Sequence, residues 1–167
     1  MCASDICMAS LITFHGNADF VKMLVDAEAE FLVVGGLAVV FYKCRNPDGA
    51  DDLDLLLNPT EENAKRFVSV LSQNALYPLP SVTQVARPNF RIPLKILPLF
   101  YIDVFTPSED VNFGELFSRS EGASLNDNIP VRVISRLDLI DMKRRTVRML
   151  SGDKKKHEDD LRSLEVV

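Results

Sequence analysis

Two carboxylates one pleat apart, downstream of a pair of glycines, are the residues in this chain best placed to do chemistry. Asp52 and Asp54 flank Leu53 at the head of the apolar run Leu55–Leu57, and fifteen residues separate Asp52 from Gly35–Gly36, which close the apolar run Phe31–Val34. On a strand, residues i and i+2 share a face, so both acids point away from the core that takes Leu53 and Leu55. Two carboxylates this close repel unless a cation lies between them. Mg²⁺ is held by one or two carboxylates, with phosphates and waters completing its shell. The glycines let backbone approach a phosphate closely. A third acid, Asp103, interrupts the otherwise apolar run Phe100–Phe105, where a lone carboxylate is costly unless it joins a site. Three acids on neighbouring strands suit two-metal phosphoryl or nucleotidyl transfer. Asp52, Asp54 and Asp103 are then the metal ligands, with Asp103 also in reach of the acceptor. Taken alone, Asp52-Leu53-Asp54 also fits the exposed face of an edge strand; the glycine pair and Asp103 favour the site.

The elements that must position these groups follow from periodicity and turn chemistry. Asn17 to Glu28 has a 3.6-residue apolar stripe and reads as a first helix capped by Asn17. Phe31–Val34 is a buried strand, Gly35–Gly36 a turn, and Leu37 to Tyr42 a short helix. Asn46-Pro47-Asp48-Gly49 is a turn signal, and Leu53–Leu57 is the second strand. Thr60 caps a helix over Glu61 to Ser72. Residues 74–90, with Pro78, Pro80 and Pro88, read as loop with at most one edge strand. Arg91 to Ile96 and Phe100 to Phe105 are paired strands, and Pro93 places the first at an edge or bulge. Asn112 to Arg119 is a short helix and Ile129 to Ile134 a strand. Ser135 and Asp138 form a capping box opening the helix Arg136 to Leu150. Asp153 caps a last helix, Lys154 to Leu164. Met142 and Met149 read as core residues, and His15 as a surface or helix-start residue. The fold class is α/β (α+β), a mixed sheet flanked by helices with C-terminal helices. The chain is one domain, 1–167, with a core over about 17–134 and a helical part over about 135–167.

Composition excludes several alternatives. The 167 residues are 47% hydrophobic and 26% charged, which is globular rather than disordered composition. No apolar run approaches the roughly 18 residues of a membrane span, and Met1–Met8 lacks the basic start of a signal peptide. Cys2, Cys7 and Cys44 are odd in number and lack metal-ligand spacing, so free thiols in a reducing cytoplasm are expected. With only His15 and His157, a zinc site is not expected. The GxxxxGK and GxGxxG patterns are absent, which leaves P-loop and Rossmann phosphate binding unsupported. The net charge is −5, yet seven basic residues fall between Lys143 and Lys156 against one acid, Asp153. They read as a solvated face or as a phosphate-facing patch for a triphosphate or an RNA such as tRNA. Tyr42, Arg45 and Arg91 are further candidate substrate contacts.

The ordered set resembles the nucleotidyltransferase superfamily with the DNA-polymerase-beta-like fold. Within it the chain is similar to small bacterial members, including abortive-infection and toxin–antitoxin nucleotidyltransferases. The family pattern of strand, Gly-Gly, short helix, Asp-x-Asp on the next strand and a third Asp on a later one matches Gly35, Gly36, Asp52, Asp54 and Asp103. Val133 to Lys143 looks like the family's stretch leading into its C-terminal helices, where a lysine is associated with the nucleotide phosphates. Lys156 to Leu161 is similar to a following Lys-Asp-x-x-Asp segment. The resemblance implies a Mg²⁺-dependent enzyme that transfers NMP from an NTP to a hydroxyl or phosphate acceptor on RNA or tRNA, protein or a small molecule. It implies nucleotide contacts from Gly35, Gly36 and Lys143, and an antitoxin as partner. The chain departs from the pattern at Pro47–Asp51, where many members carry an arginine and a Ser or Thr just before the first Asp, and at His157, where an acid is more usual. These departures motivate the alternative of a catalytically degenerate, nucleotidyltransferase-fold binding protein. Hydrolase or nuclease chemistry at the same acids is a third possibility.

Overall fold

The computed structural model describes residues 15–46, 52–125 and 128–166. The elements are α1 (His15–Asp26), β1 (Phe31–Val34), α2 (Gly35–Phe41), β2 (Leu53–Leu57), α3 (Glu61–Gln73), α4 (Val82–Val85), β3 (Arg91–Ile96), β4 (Phe100–Phe105), α5 (Phe113–Arg119), β5 (Glu121–Leu125), β6 (Ile129–Val133), α6 (Arg136–Met149) and α7 (Lys155–Glu165). The strands form one mixed sheet in the order β3-β4-β2-β1-β6-β5. β1 lies antiparallel to β2 and parallel to β6, and β2 lies parallel to β4. The hairpins β3–β4 and β5–β6 close the two sides antiparallel. This is the mixed sheet flanked by helices, with C-terminal helices, that the residue pattern predicts.

The sheet has one dry face and one chemical face. Leu53, Leu55 and Leu57 of β2, Ile102 and Val104 of β4, and Ile92 and Leu94 of β3 are buried. They point toward α1 and α3, where the rings of Phe20 and Phe67 meet edge to face 6.5 Å apart and Phe100 completes the contact. Each such side chain removed from water contributes about 1.5–3 kcal/mol. The opposite face carries Asp54 and Leu56 on β2 and Asp103 and Phe105 on β4.

Buried asparagines join the elements where ladders end. Asn63 on α3 is fully used: its Oδ1 accepts from the amide of Glu30 (2.7 Å), and its Nδ2 donates to the carbonyls of Glu30 and Asn58 (2.9 Å each). Asn17 is expected to cap α1, but the helix begins two residues earlier, at His15. Its amide instead exchanges two hydrogen bonds with the backbone of Tyr101 (2.9 and 3.3 Å). The pairing of β2 with β4 begins only at Leu53 and Ile102, so Asn17 satisfies backbone groups that β2 does not reach.

Other expectations are corrected. The loop assigned to residues 74–90 contains no strand but a short helix, α4, held by a full capping box between Ser81 and Gln84. β5 has no counterpart among the elements expected from the sequence: Glu121–Leu125 is weak in strand-forming residues and becomes a strand by pairing with β6. The Ser135 cap is half a capping box. Ser135 Oγ accepts from the Asp138 amide (3.2 Å), but the shorter Asp138 carboxylate bonds the Ser135 hydroxyl (2.6 Å) rather than its amide. Asp153 accepts from the Lys155 amide (3.0 Å) at the start of α7. Met142 packs against the core, whereas Met149 ends α6 at 85% exposure, because the helix runs past the edge of what it covers. Thr60 caps α3 as expected. Cys44 is a free thiol, while Cys2 and Cys7 lie outside the described residues. Among the described residues, no helix is long and apolar enough to cross a membrane.

Candidate functional site

The acids converge because of strand register. Antiparallel pairing sets Asp54 opposite Val34, the last residue of β1, and parallel pairing sets Asp54 beside Asp103. Asp52 precedes β2 by one residue and reaches the same spot. Each of the three offers a carboxylate oxygen, and these oxygens lie within 4.8 Å of one another. The Gly35–Gly36 turn lies directly against them. Gly35 has φ +65°, and a Cβ there would fall 1.8 Å from Oδ2 of Asp54. The Gly36 amide donates to the Asp54 carboxylate. The glycine pair therefore does two things: it lets the chain turn from β1 into α2 without a side chain, and it leaves room for the acid.

The cluster is electrostatically tense. Asp54 is pushed up to about 7, first by burial and then by the charges of Asp52 and Asp103; the Lys143 cation and the Gly36 amide pull the other way. Asp103 is buried, with Oδ2 taken by Arg91 (3.0 Å) and approached by Lys95 (3.8 Å). Its Oδ1 is buried without a partner. A buried carboxylate oxygen left unsatisfied is expensive, and here it belongs to a three-carboxylate group. An all-oxygen donor set of this kind fits a hard divalent cation. Residues 47–51, where the family's arginine and hydroxyl are expected, lie outside the described residues.

A pH dependence follows from Asp54. Its carboxyl is raised in the folded, metal-free protein from about 3.8 to about 7, so the folded state binds the extra proton between those values. Stability of the metal-free protein should then fall as pH rises through that window. Divalent-cation affinity should rise over the same window, because the ion displaces the proton. Thermal unfolding from about pH 5 to about pH 8, with and without Mn²⁺, checks both signs; the gap in Tm between the two samples should widen with pH.

Lys143 is buried, and its partner is a protein acid. Lys143 Nζ lies 2.7 Å from Asp160 Oδ2 with both side chains buried. Asp160 also receives Arg45, whose Nε is 2.8 Å from Oδ1 and whose Nη2 contacts Oδ2. Asp160 thus ties α7 to α6 and to the segment after α2. Burial and the Lys143 cation hold His157, one turn earlier on α7, below the usual imidazole range. Removing one member of a buried ion pair leaves charge stranded at a cost of about 3–5 kcal/mol. Asp160→Ala should therefore lower Tm by about 10 °C, and the double change Lys143→Met/Asp160→Leu should recover only part of it, because Arg45 loses Asp160 in both; differential scanning calorimetry decides.

Three of the seven cations in the basic stretch 143–156 are paired with described acids. Lys143 is buried, Arg144 pairs with Glu165 (2.7 Å) and Asp141 (3.4 Å), and Arg145 pairs with Asp110 (2.6 Å). The Tyr42 hydroxyl lies 2.8 Å from both Glu121 Oε1 and the Ile134 carbonyl, joining α2 to β5 and the end of β6. Burial and then the Glu121 carboxylate raise its pKa. Arg91 does reach the cluster, through Asp103. Lys95 was missed by the sequence reading; its signal is the alternation Arg91, Pro93, Lys95 on a strand that pairs Pro93 with Asp103. A cavity of about 810 Å³ opens on the acid-bearing face, with Leu56 and Phe105, two residues beyond Asp54 and Asp103, in its lining together with Met142 and Thr146 of α6.

No protein-family model matches the chain, and no curated protein matches it. Among solved structures the chain is similar to an antigenic nucleotidyltransferase-like protein from Paracoccidioides brasiliensis. The TM-score is 0.57 at 12% identity, over 93% of this chain and 74% of that one. The likeness is one of fold: the chain has a nucleotidyltransferase-like fold, with an aspartate cluster able to hold a metal ion.

Proposed function

We propose that the protein is a Mg²⁺-dependent nucleotidyltransferase that moves NMP from an NTP to an acceptor hydroxyl or phosphate. The observation that carries this reading is the convergence of Asp52, Asp54 and Asp103, whose Oδ1 is buried without a hydrogen-bond partner, beside a positive-φ glycine turn. Asp52 and Asp54 would hold the ion that grips the triphosphate, and Asp103 would share in holding it or a second one. Bound there, Mg²⁺ neutralises phosphate charge and lowers the pKa of the attacking hydroxyl. The backbone at Gly35–Gly36 lies against the β- and γ-phosphates, and Lys143 offsets their charge. The nucleoside extends along β2 and β4 into the cavity over Leu56 and Phe105. The acceptor oxygen forms a bond to the α-phosphorus, the bond from that phosphorus to the bridging oxygen breaks, and pyrophosphate leaves. For a hydroxyl acceptor, Asp103 Oδ1 takes the proton.

The sequence resemblance supports a role as a toxin–antitoxin component, with a small antitoxin as partner, and free Cys44 is in keeping with a reducing cytoplasm. The engagement of Lys143 by Asp160 favours a second reading, in which the site binds nucleotide without transferring it. Calorimetry with each NTP and Mg²⁺, followed by transfer of α-labelled NTP to an RNA and protein pool, separates the two. Binding with transfer supports the enzyme, and binding without transfer supports the second reading. No binding by the native protein, unaltered in Asp52→Ala/Asp54→Ala, sinks both.

A further inference from the structure

The order of groups across the sheet has a direction. Reading from the centre outward, the Gly35–Gly36 turn after β1 comes first, then Asp54 on β2, Asp103 on β4, and Arg91 and Lys95 on β3. In-line displacement puts the attacking oxygen and the departing pyrophosphate on opposite sides of the α-phosphorus. With the phosphates on the glycine side, the acceptor must approach from the β3 side. Among the described residues, β3 is an edge strand with no strand paired beyond it.

Arg91 and Lys95 alternate on the acid-bearing face of β3, while Ile92 and Leu94 are buried on the other. Their head groups converge, at 3.0 and 3.8 Å from the same Asp103 Oδ2. Lys95 is steadied by the ring of Tyr101, its partner in the β3–β4 ladder, 4.6 Å from the ring centroid. Both side chains remain open to solvent, Arg91 at 67% and Lys95 at 41%. A guanidinium has five donors, and the single bond to Asp103 leaves Arg91 able to grip another oxyanion. Of the basic stretch 143–156, by contrast, Lys143, Arg144 and Arg145 are spent on Asp160, Glu165 and Asp110.

We propose that Arg91 and Lys95 form an acceptor subsite that binds a backbone phosphate next to the reacting end of a single-stranded RNA. The inference rests on the nucleotidyl-transfer reading for its direction, and its binding test does not depend on turnover. Paired cations beside an aromatic ring are the means by which proteins track single-stranded nucleic acid. Such an attraction is salt-sensitive.

The test uses the full chain with Mg²⁺ and no NTP, and follows a 5′-labelled single-stranded RNA 12-mer (about that length suffices for one site) by fluorescence anisotropy. Arg91→Gln/Lys95→Gln should weaken RNA binding by about tenfold or more and flatten the salt dependence by roughly one to two in log–log slope. Lys95→Gln alone, at the more distant cation, should weaken RNA binding in the same direction with Tm unchanged and with NTP affinity, read by calorimetry, changed by less than about twofold, which covers a double variant that fails to fold. Arg91→Lys should retain most of the affinity. RNA binding that is absent in the native protein, or unchanged in Lys95→Gln and the double variant, overturns the proposal. So does a double variant in which only Mn²⁺ affinity moves, since that marks Arg91 as a counter-charge to Asp103 alone. RNA binding that depends on both cations in a protein that binds no NTP would retain this subsite and reject the transferase reading.

Discussion

Asp54→Asn should reduce nucleotidyl transfer on the order of 10³–10⁴-fold while leaving the protein folded. Asp54 lies at the centre of the site: its carboxylate adjoins Asp52 and Asp103, takes the Gly36 amide, and feels Lys143. An amide keeps the shape and loses the charge, so the divalent ion has two carboxylates where it had three. In the absence of metal the same change relieves repulsion. The raised carboxyl of Asp54 shows that its ionised form is disfavoured by burial and by its two neighbours. Asp54→Asn should therefore raise the Tm of the metal-free protein above about pH 7, by several degrees at about 2–4 °C per kcal/mol, and reduce the Tm gain on adding Mn²⁺. A residue of purely structural value would lose stability on substitution. Label transfer and paired melting curves distinguish these outcomes; transfer retained within about tenfold of native would remove Asp54 from the chemistry.

Gly35→Ala should be nearly as damaging, by a different route. The position has φ +65°, which costs a non-glycine residue about 1–2 kcal/mol. The new methyl would also lie 1.8 Å from Asp54 Oδ2 and 2.6 Å from its Cγ. Either the Asp54 side chain leaves the cluster or the turn between β1 and α2 shifts. A displacement of about 1 Å at a reacting centre costs on the order of 10²-fold in rate, so transfer should fall at least that far, with Mn²⁺ affinity falling alongside. Gly122→Ala is the control: a Cβ there meets nothing within 4 Å, and it should be silent in both assays. Equal activity of Gly35→Ala and the native chain would show that the turn does not define the acid's position.

What could be read directly was what depends on neighbours in the chain. Strands β1, β2 and β4 fall where largely apolar runs place them, and β3 where Ile92, Leu94 and Ile96 alternate with Arg91, Pro93 and Lys95, because such short segments have few other uses. Thr60 caps α3 because a side-chain oxygen reaches an amide three residues on, whatever the rest of the molecule does. The same locality explains why Asp52 and Asp54 could be seen to share a face, and why the glycine pair could be seen as a turn.

The remainder is non-local. β5 has little strand character of its own and exists because β6 offers it a ladder. Asn17 looks like a cap in sequence, yet its amide serves the backbone of Tyr101, 84 residues away. Lys143 could be placed near the site but not matched to Asp160, since the buried pair forms only once α7 folds back on α6. The sequence by itself determined the three acids, the glycine turn and most of the strands, because these are matters of residue type and short-range geometry. Only the tertiary structure decided that Asp103 lies beside Asp54 with one oxygen held by Arg91 and Lys95 and the other buried without a partner. That arrangement is set by the register of β4 against β2 and of β3 against β4, and register is fixed by packing across the whole sheet.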